Sequence, residues 1–82
     1  MEMEDLMKRL RTSGDIRKCC LAAVIEIECR RLKAEPLEGI SKTVNYLYGC
    51  LEAICTFGEI TEDEKQELWA DIDVRAYGGP VS

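Results

Sequence analysis

Eighty-two residues make one domain. A chain this short buries only about 60% of the surface its unfolded form exposes, so its core calls for a supplement: disulfides, a metal or association. Sixteen acidic residues against eleven basic ones leave a net charge of −5, which argues against general duplex nucleic-acid binding.

Met3, Leu6, Met7 and Leu10 recur at i, i+3, i+4, i+7, so residues 2–11 read as a short amphipathic helix. Its acids lie in the first turn and its bases in the last, as the helix dipole favours. Thr12-Ser13-Gly14-Asp15 is a break, and Ser13 or Asp15 can cap the next helix.

Residues 15–33 and 40–57 each carry two apolar stripes. In the first segment these are Ile16, Cys19, Cys20, Ala23, Val24, Ile27 and, separately, Leu21, Ile25, Cys29, Leu32. In the second they are Ile40, Val44, Leu47, Tyr48, Leu51, Ile54, Cys55 and Tyr46, Cys50, Ala53, Phe57. A helix apolar on most sides has to be covered on several of them. The secondary stripes, represented by Leu21, Ile25, Tyr46 and Phe57, are therefore candidates for self-association into a homodimer or higher oligomer. Pro36 and Gly39 mark a loop of about six residues, short enough to make the two long helices antiparallel neighbours.

Gly58 is a suitable residue to end the third helix after Phe57. Thr61-Glu-Asp-Glu64 then forms a capping box that opens a fourth helix over 61–74, with Lys65, Leu68, Trp69 and Ile72 on one side. Residues 76–82 show no period and read as a flexible tail after a helical domain over 1–75. The expected fold is all-α: a four-helix domain built on an antiparallel hairpin.

The chemistry-bearing residues are few. Without histidine, the commonest general base and the usual partner of a nucleophilic serine or cysteine are missing. No Gly-x-Gly-x-x-Gly or phosphate-binding Gly-Lys-Ser/Thr loop occurs. The five cysteines form no Cys-x-x-Cys pair, and four of them (Cys19, Cys20, Cys50, Cys55) fall on apolar stripes, where cysteine packs as a small hydrophobe. The expectation is a non-enzymatic protein without a metal or cofactor. Met1-Glu-Met-Glu-Asp is the reverse of a secretory signal, and the longest apolar run, Cys19–Ile25, is far too short to span a bilayer, so a cytoplasmic protein is expected.

Two charged regions remain as candidate contacts. Arg9, Arg11, Arg17 and Lys18 surround the turn at Ser13, ahead of a helix N-terminus whose free amides could cradle a phosphate or nucleotide. The charge is also lopsided: residues 1–33 carry net +2 and residues 34–82 net −7. The acidic 59–73 segment could meet a basic surface on a protein partner, with Glu62, Asp63 and Glu67 making the contact.

The stretch Tyr46-Leu-Tyr-Gly-Cys-Leu-Glu-Ala-Ile, followed by Gly58-Glu-Ile-Thr-Glu-Asp-Glu64, resembles a helical hairpin of small accessory proteins from bacteriophages and mobile elements of Gram-positive bacteria. The likeness covers residues 46–72. It implies an all-helical protein of counter-defence type, anti-CRISPR proteins being one such group, that acts in a bacterial host by binding and inhibiting a host protein. Two alternatives stand beside it: an oligomeric sponge for an anionic nucleotide signal, and a structural helical adaptor.

Overall fold

The computed structural model describes residues 1–34 and 37–78, less the side chains of 37 and 38. It is all-α, with four helices: α1 (Met3–Arg11), α2 (Ile16–Ala34), α3 (Leu37–Thr56) and α4 (Glu62–Tyr77). No strand occurs among the described residues, and no described helix is long and apolar enough to cross a membrane. Each helix packs on the next, and α4 returns against α1 and α2.

Leu6 and Leu10 of α1, Ala22 and Ile25 of α2, Leu47 and Leu51 of α3, and Leu68 and Ile72 of α4 meet in one core. The hairpin is antiparallel, as the short connection predicts: Leu21 lies beside Ile54 at one end of the α2–α3 seam, and Arg31 beside Gly39 and Tyr46 at the other. In α3 the buried stripe is the expected one, Ile40, Val44, Leu47, Leu51 and Ile54.

In α2 the order of the stripes is reversed. Ala22, Ile25, Cys29 and Leu32 are buried, while Ile16, Cys20, Ala23, Val24 and Ile27 face outward, Ile16 with 78% of its surface exposed. Ile25 is fully buried, so it cannot serve the self-association expected of it. The physical reason lies with the neighbours: α2 must present one side to α1 and another to α3, and small Ala22 and Cys29 fit the space between them. The cysteines follow the same correction. Cys29 is the buried thiol, Cys20 is exposed, and Cys19, Cys50 and Cys55 are half-buried; all five are free.

Helix boundaries shift modestly. α3 begins at Leu37, so Gly39 lies within its first turn instead of in the connection. The rest of that connection, residues 35–36, lies outside the described residues. α4 continues through Ala76 and Tyr77 to Gly78, whose left-handed φ of 80° and N–H bond to the Val74 carbonyl close the helix. Residues 76 and 77 are thus helical and Gly78 is their cap, where a tail was expected, and residues 79–82 lie outside the described residues.

Candidate functional site

Two tight turns frame an apolar cleft. At the α1–α2 turn, the Ser13 hydroxyl donates to the Leu10 carbonyl (2.7 Å) and accepts from the Asp15 N–H (3.2 Å), and Gly14 takes a φ of +79°. At the end of α3, the Glu59 N–H reaches the Ile54 carbonyl (3.1 Å) and the Gly58 N–H the Cys55 carbonyl (3.0 Å). This paired closure needs the left-handed φ of +84° that Gly58 supplies, as the sequence predicts for that position. The chain then turns inward at Ile60, which is buried, and leaves Phe57 outside with 82% of its surface exposed.

Between the two turns lies a cleft of about 370 Å³. Leu10, Leu21 and Ile54 line it with apolar surface, Phe57 forms one wall, and Arg17 and Lys18 stand at its rim. Lys18 Nζ is held 2.7 Å from Glu59 Oε1. Arg17 is almost wholly exposed and makes only a 3.6 Å contact with Asp15. Four residues singled out for two separate roles, Arg17, Lys18, Leu21 and Phe57, therefore share one site. Its chemistry is an aromatic and aliphatic lining with an edge that carries Arg17 and the Lys18–Glu59 ion pair.

The other basic residues are dispersed. Arg9 turns to the start of α4, where its guanidinium meets Glu64 (3.0 and 3.3 Å) and the Glu59 carbonyl (3.2 Å). Arg11 pairs with Glu26, which also takes Arg30 at 3.0 Å. The amide that opens α2 is also occupied: Asp15 Oδ1 accepts from the Arg17 N–H at 2.9 Å, and this bond holds the Asp15 carboxyl below the usual carboxylate range. Of the expected anion-site cations, Arg9, Arg11 and Lys18 thus each face a carboxylate of the same chain, while Arg17 stays exposed.

The acidic face of α4 is similarly engaged. The capping box forms as its spacing predicts, Thr61 Oγ1 accepting from the Glu64 N–H (3.1 Å) and Glu64 Oε1 from the Thr61 N–H (2.9 Å). Glu67 pairs with the Met1 ammonium (2.8 Å) and Glu62 with Lys65 (2.8 Å), leaving Asp63 as the member of the trio with no ion pair among the described residues. Tyr46, 51% exposed, lies in a separate polar groove beside Glu28 and Lys42.

Sequence spacing places Lys65 on the apolar side of α4 but does not reveal what it does there. Its side chain is almost wholly buried, with Nζ 2.8 Å from both Glu52 and Glu62 and 4.9 Å above the Trp69 ring. The two carboxylates push its pKa up, so it stays charged. Trp69 in turn packs at 5.2 Å from the Tyr48 ring, and the Tyr48 hydroxyl donates to Asp73. Burial, together with that bond to Asp73, raises the Tyr48 pKa. The recoverable signal was Glu52, one α3 turn from the core, facing a lysine that sits among apolar neighbours. This network joins α3 to α4.

Among the described residues, no group of three or more histidine, cysteine, aspartate or glutamate side chains is arranged to hold a metal ion. No family model, curated protein or solved structure matches the chain.

Proposed function

We propose that this chain is a non-enzymatic binding protein that inhibits a host protein by direct protein–protein contact, with the Phe57 cleft as the contact surface. The observation that carries this reading is an aromatic side chain left 82% exposed beside a groove floored by Leu10, Leu21 and Ile54. Leaving such a ring in water is unfavourable, and aromatic anchors next to small apolar pockets dominate the energetics of many protein interfaces. The exposed Arg17 guanidinium at the rim suits a partner that places an apolar side chain in the cleft with an acidic group beside it.

The class of partner comes from the resemblance of residues 46–72, which include Phe57, to phage and mobile-element accessory proteins: a bacterial host protein, one of its defence components. The nucleotide-sponge reading has less support, because Arg9, Arg11 and Lys18 each already face a carboxylate of the same chain.

The test is affinity capture from a Gram-positive host lysate, using the unsubstituted chain, Phe57→Lys and Asp63→Lys, with retained proteins identified by mass spectrometry. One host protein should be retained by the unsubstituted chain and by Asp63→Lys, and lost at least tenfold with Phe57→Lys. Retention that ignores Phe57→Lys, or that fails with Asp63→Lys alone, would move the contact off the cleft.

A further inference from the structure

The Phe57 cleft is out of reach of the residues that lie outside the described ones. Its lining comes from the C-terminal ends of α1 and α3, the N-terminal end of α2, and Glu59 ahead of α4. Residues 35–36, the side chains of 37 and 38, and residues 79–82 adjoin the opposite ends of α2, α3 and α4, about 20 Å or more away along the helix axes. Four residues span at most about 14 Å, so these do not cover the cleft.

Arg17 gives the cleft its charge. Its side chain is 90% exposed, and its guanidinium makes no hydrogen bond among the described residues. Asp15 Oδ1, 3.6 Å from the guanidinium, is taken by the Arg17 main-chain N–H at 2.9 Å. The other cation at the rim is neutralised, with Lys18 Nζ 2.7 Å from Glu59. The donors left over are those of one guanidinium, whose planar fork matches a carboxylate.

The form of the occupant follows from the fold and the ring. Small molecules are held in sites that enclose most of their surface, whereas Phe57 stands largely in solvent and needs a broad body laid over it. An extended peptide docks by adding to a sheet edge, and no strand occurs among the described residues. A proline-rich peptide docks between several aromatic rings, and Phe57 is alone among the lining residues. A helix laid in the groove remains. Leu21 lies four residues after Arg17, about 6 Å along α2, and a docking helix presents its i and i+4 side chains at a matching distance.

We infer that the cleft receives an amphipathic helix of a protein partner, with a large apolar side chain against Leu21 and Phe57 and an aspartate or glutamate one turn away on Arg17. This assignment rests on the reading of the cleft as the contact surface, and it makes Arg17 the residue that selects the partner by charge.

The test pans a phage-displayed library of helical peptides, about 16 residues long with one face randomised, against the full chain. Fluorescence anisotropy then measures the selected peptides. They should pair a large apolar residue with an acid three or four positions away, and a central proline should abolish their binding. Phe57→Lys and Arg17→Glu should each weaken binding about tenfold or more. Changing the peptide's acid to lysine should restore binding to Arg17→Glu, a charge swap that a misfolded variant does not produce. Peptides that require Phe57 but bind Arg17→Glu as well as the unsubstituted chain would overturn the acidic helix and leave the cleft as the contact surface. Phe57-dependent peptides that tolerate the central proline would overturn the helical form. Selection that ignores Phe57→Lys, or no enrichment at all, would overturn the cleft reading and this inference with it.

Discussion

Glu64 serves two structures with one carboxylate. Its Oε1 accepts the Thr61 N–H at 2.9 Å and thereby completes the cap of α4, while both oxygens face the Arg9 guanidinium of α1. The Arg9 bonds and then the Thr61 amide pull its pKa down to about 2. A carboxyl whose pKa is lower in the folded chain than in the unfolded one lends stability that is complete above its ordinary pKa. That stability is lost as the pH falls toward the folded value. Glu64→Gln keeps an oxygen for the Thr61 amide and removes the charge. In urea unfolding, the stability gap between the unsubstituted protein and Glu64→Gln should be constant above pH 5 and close progressively down to pH 2. A gap that does not change with pH would mean that the charge on Glu64 contributes nothing. Glu4 beside Arg75 and Glu62 beside Lys65 are lowered in the same direction, so the whole protein should weaken over this same acid range.

At the scale of elements, α2 decides how well the sequence can be read. Its two stripes differ little in bulk, so burial could be assigned to either, and only packing against α1 and α3 selects Ala22, Ile25, Cys29 and Leu32. Truncation measures the outcome directly. Ile25→Ala removes a fully buried side chain and should cost about 2–5 kcal/mol, whereas Ile27→Ala should stay within about 0.5 kcal/mol. Both are to be measured in samples dilute enough to be monomeric by light scattering. Equal costs would contradict the phase of α2. The end of α3 at Gly58 and the start of α4 at Thr61 were legible because capping chemistry is local: a left-handed glycine and a hydroxyl three residues before a glutamate act without tertiary help. The start of α3 was not, because a glycine inside a helix costs only about 1 kcal/mol, which packing readily overrides. The candidate site was legible in its parts and not in its assembly. Phe57 and Leu21 stood out as surplus apolar residues and Arg17 and Lys18 as surplus charge, but only the folding of the two turns toward each other makes them one cleft.

At the scale of the molecule, the lopsided charge of the sequence turns out to be spent largely within the fold. The basic N-terminal half is stitched to the acidic C-terminal half by Arg9–Glu64, Lys18–Glu59 and the Met1 ammonium on Glu67, and Glu4–Arg75 joins them with the signs reversed. Exposed pairs of this kind contribute little, so they orient α1 on α4 more than they stabilise it. A second copy over the outward stripe of α2, with Ile16 and Ile27, would couple association to folding and supply the supplement that an 82-residue core calls for. This coupling has a thermodynamic signature that a monomer lacks. When unfolding also separates two chains, mass action raises the melting temperature with protein concentration. For a dimer of this size, with an unfolding entropy near 2 cal/mol/K per residue, the rise should be about 4 °C for each tenfold increase in concentration. Calorimetry over two decades of concentration measures it, with Ile27→Lys as the reference that should show no dependence. A melting temperature independent of concentration in both proteins would mean that α2 keeps its outer face in water and that the four-helix core is sufficient alone.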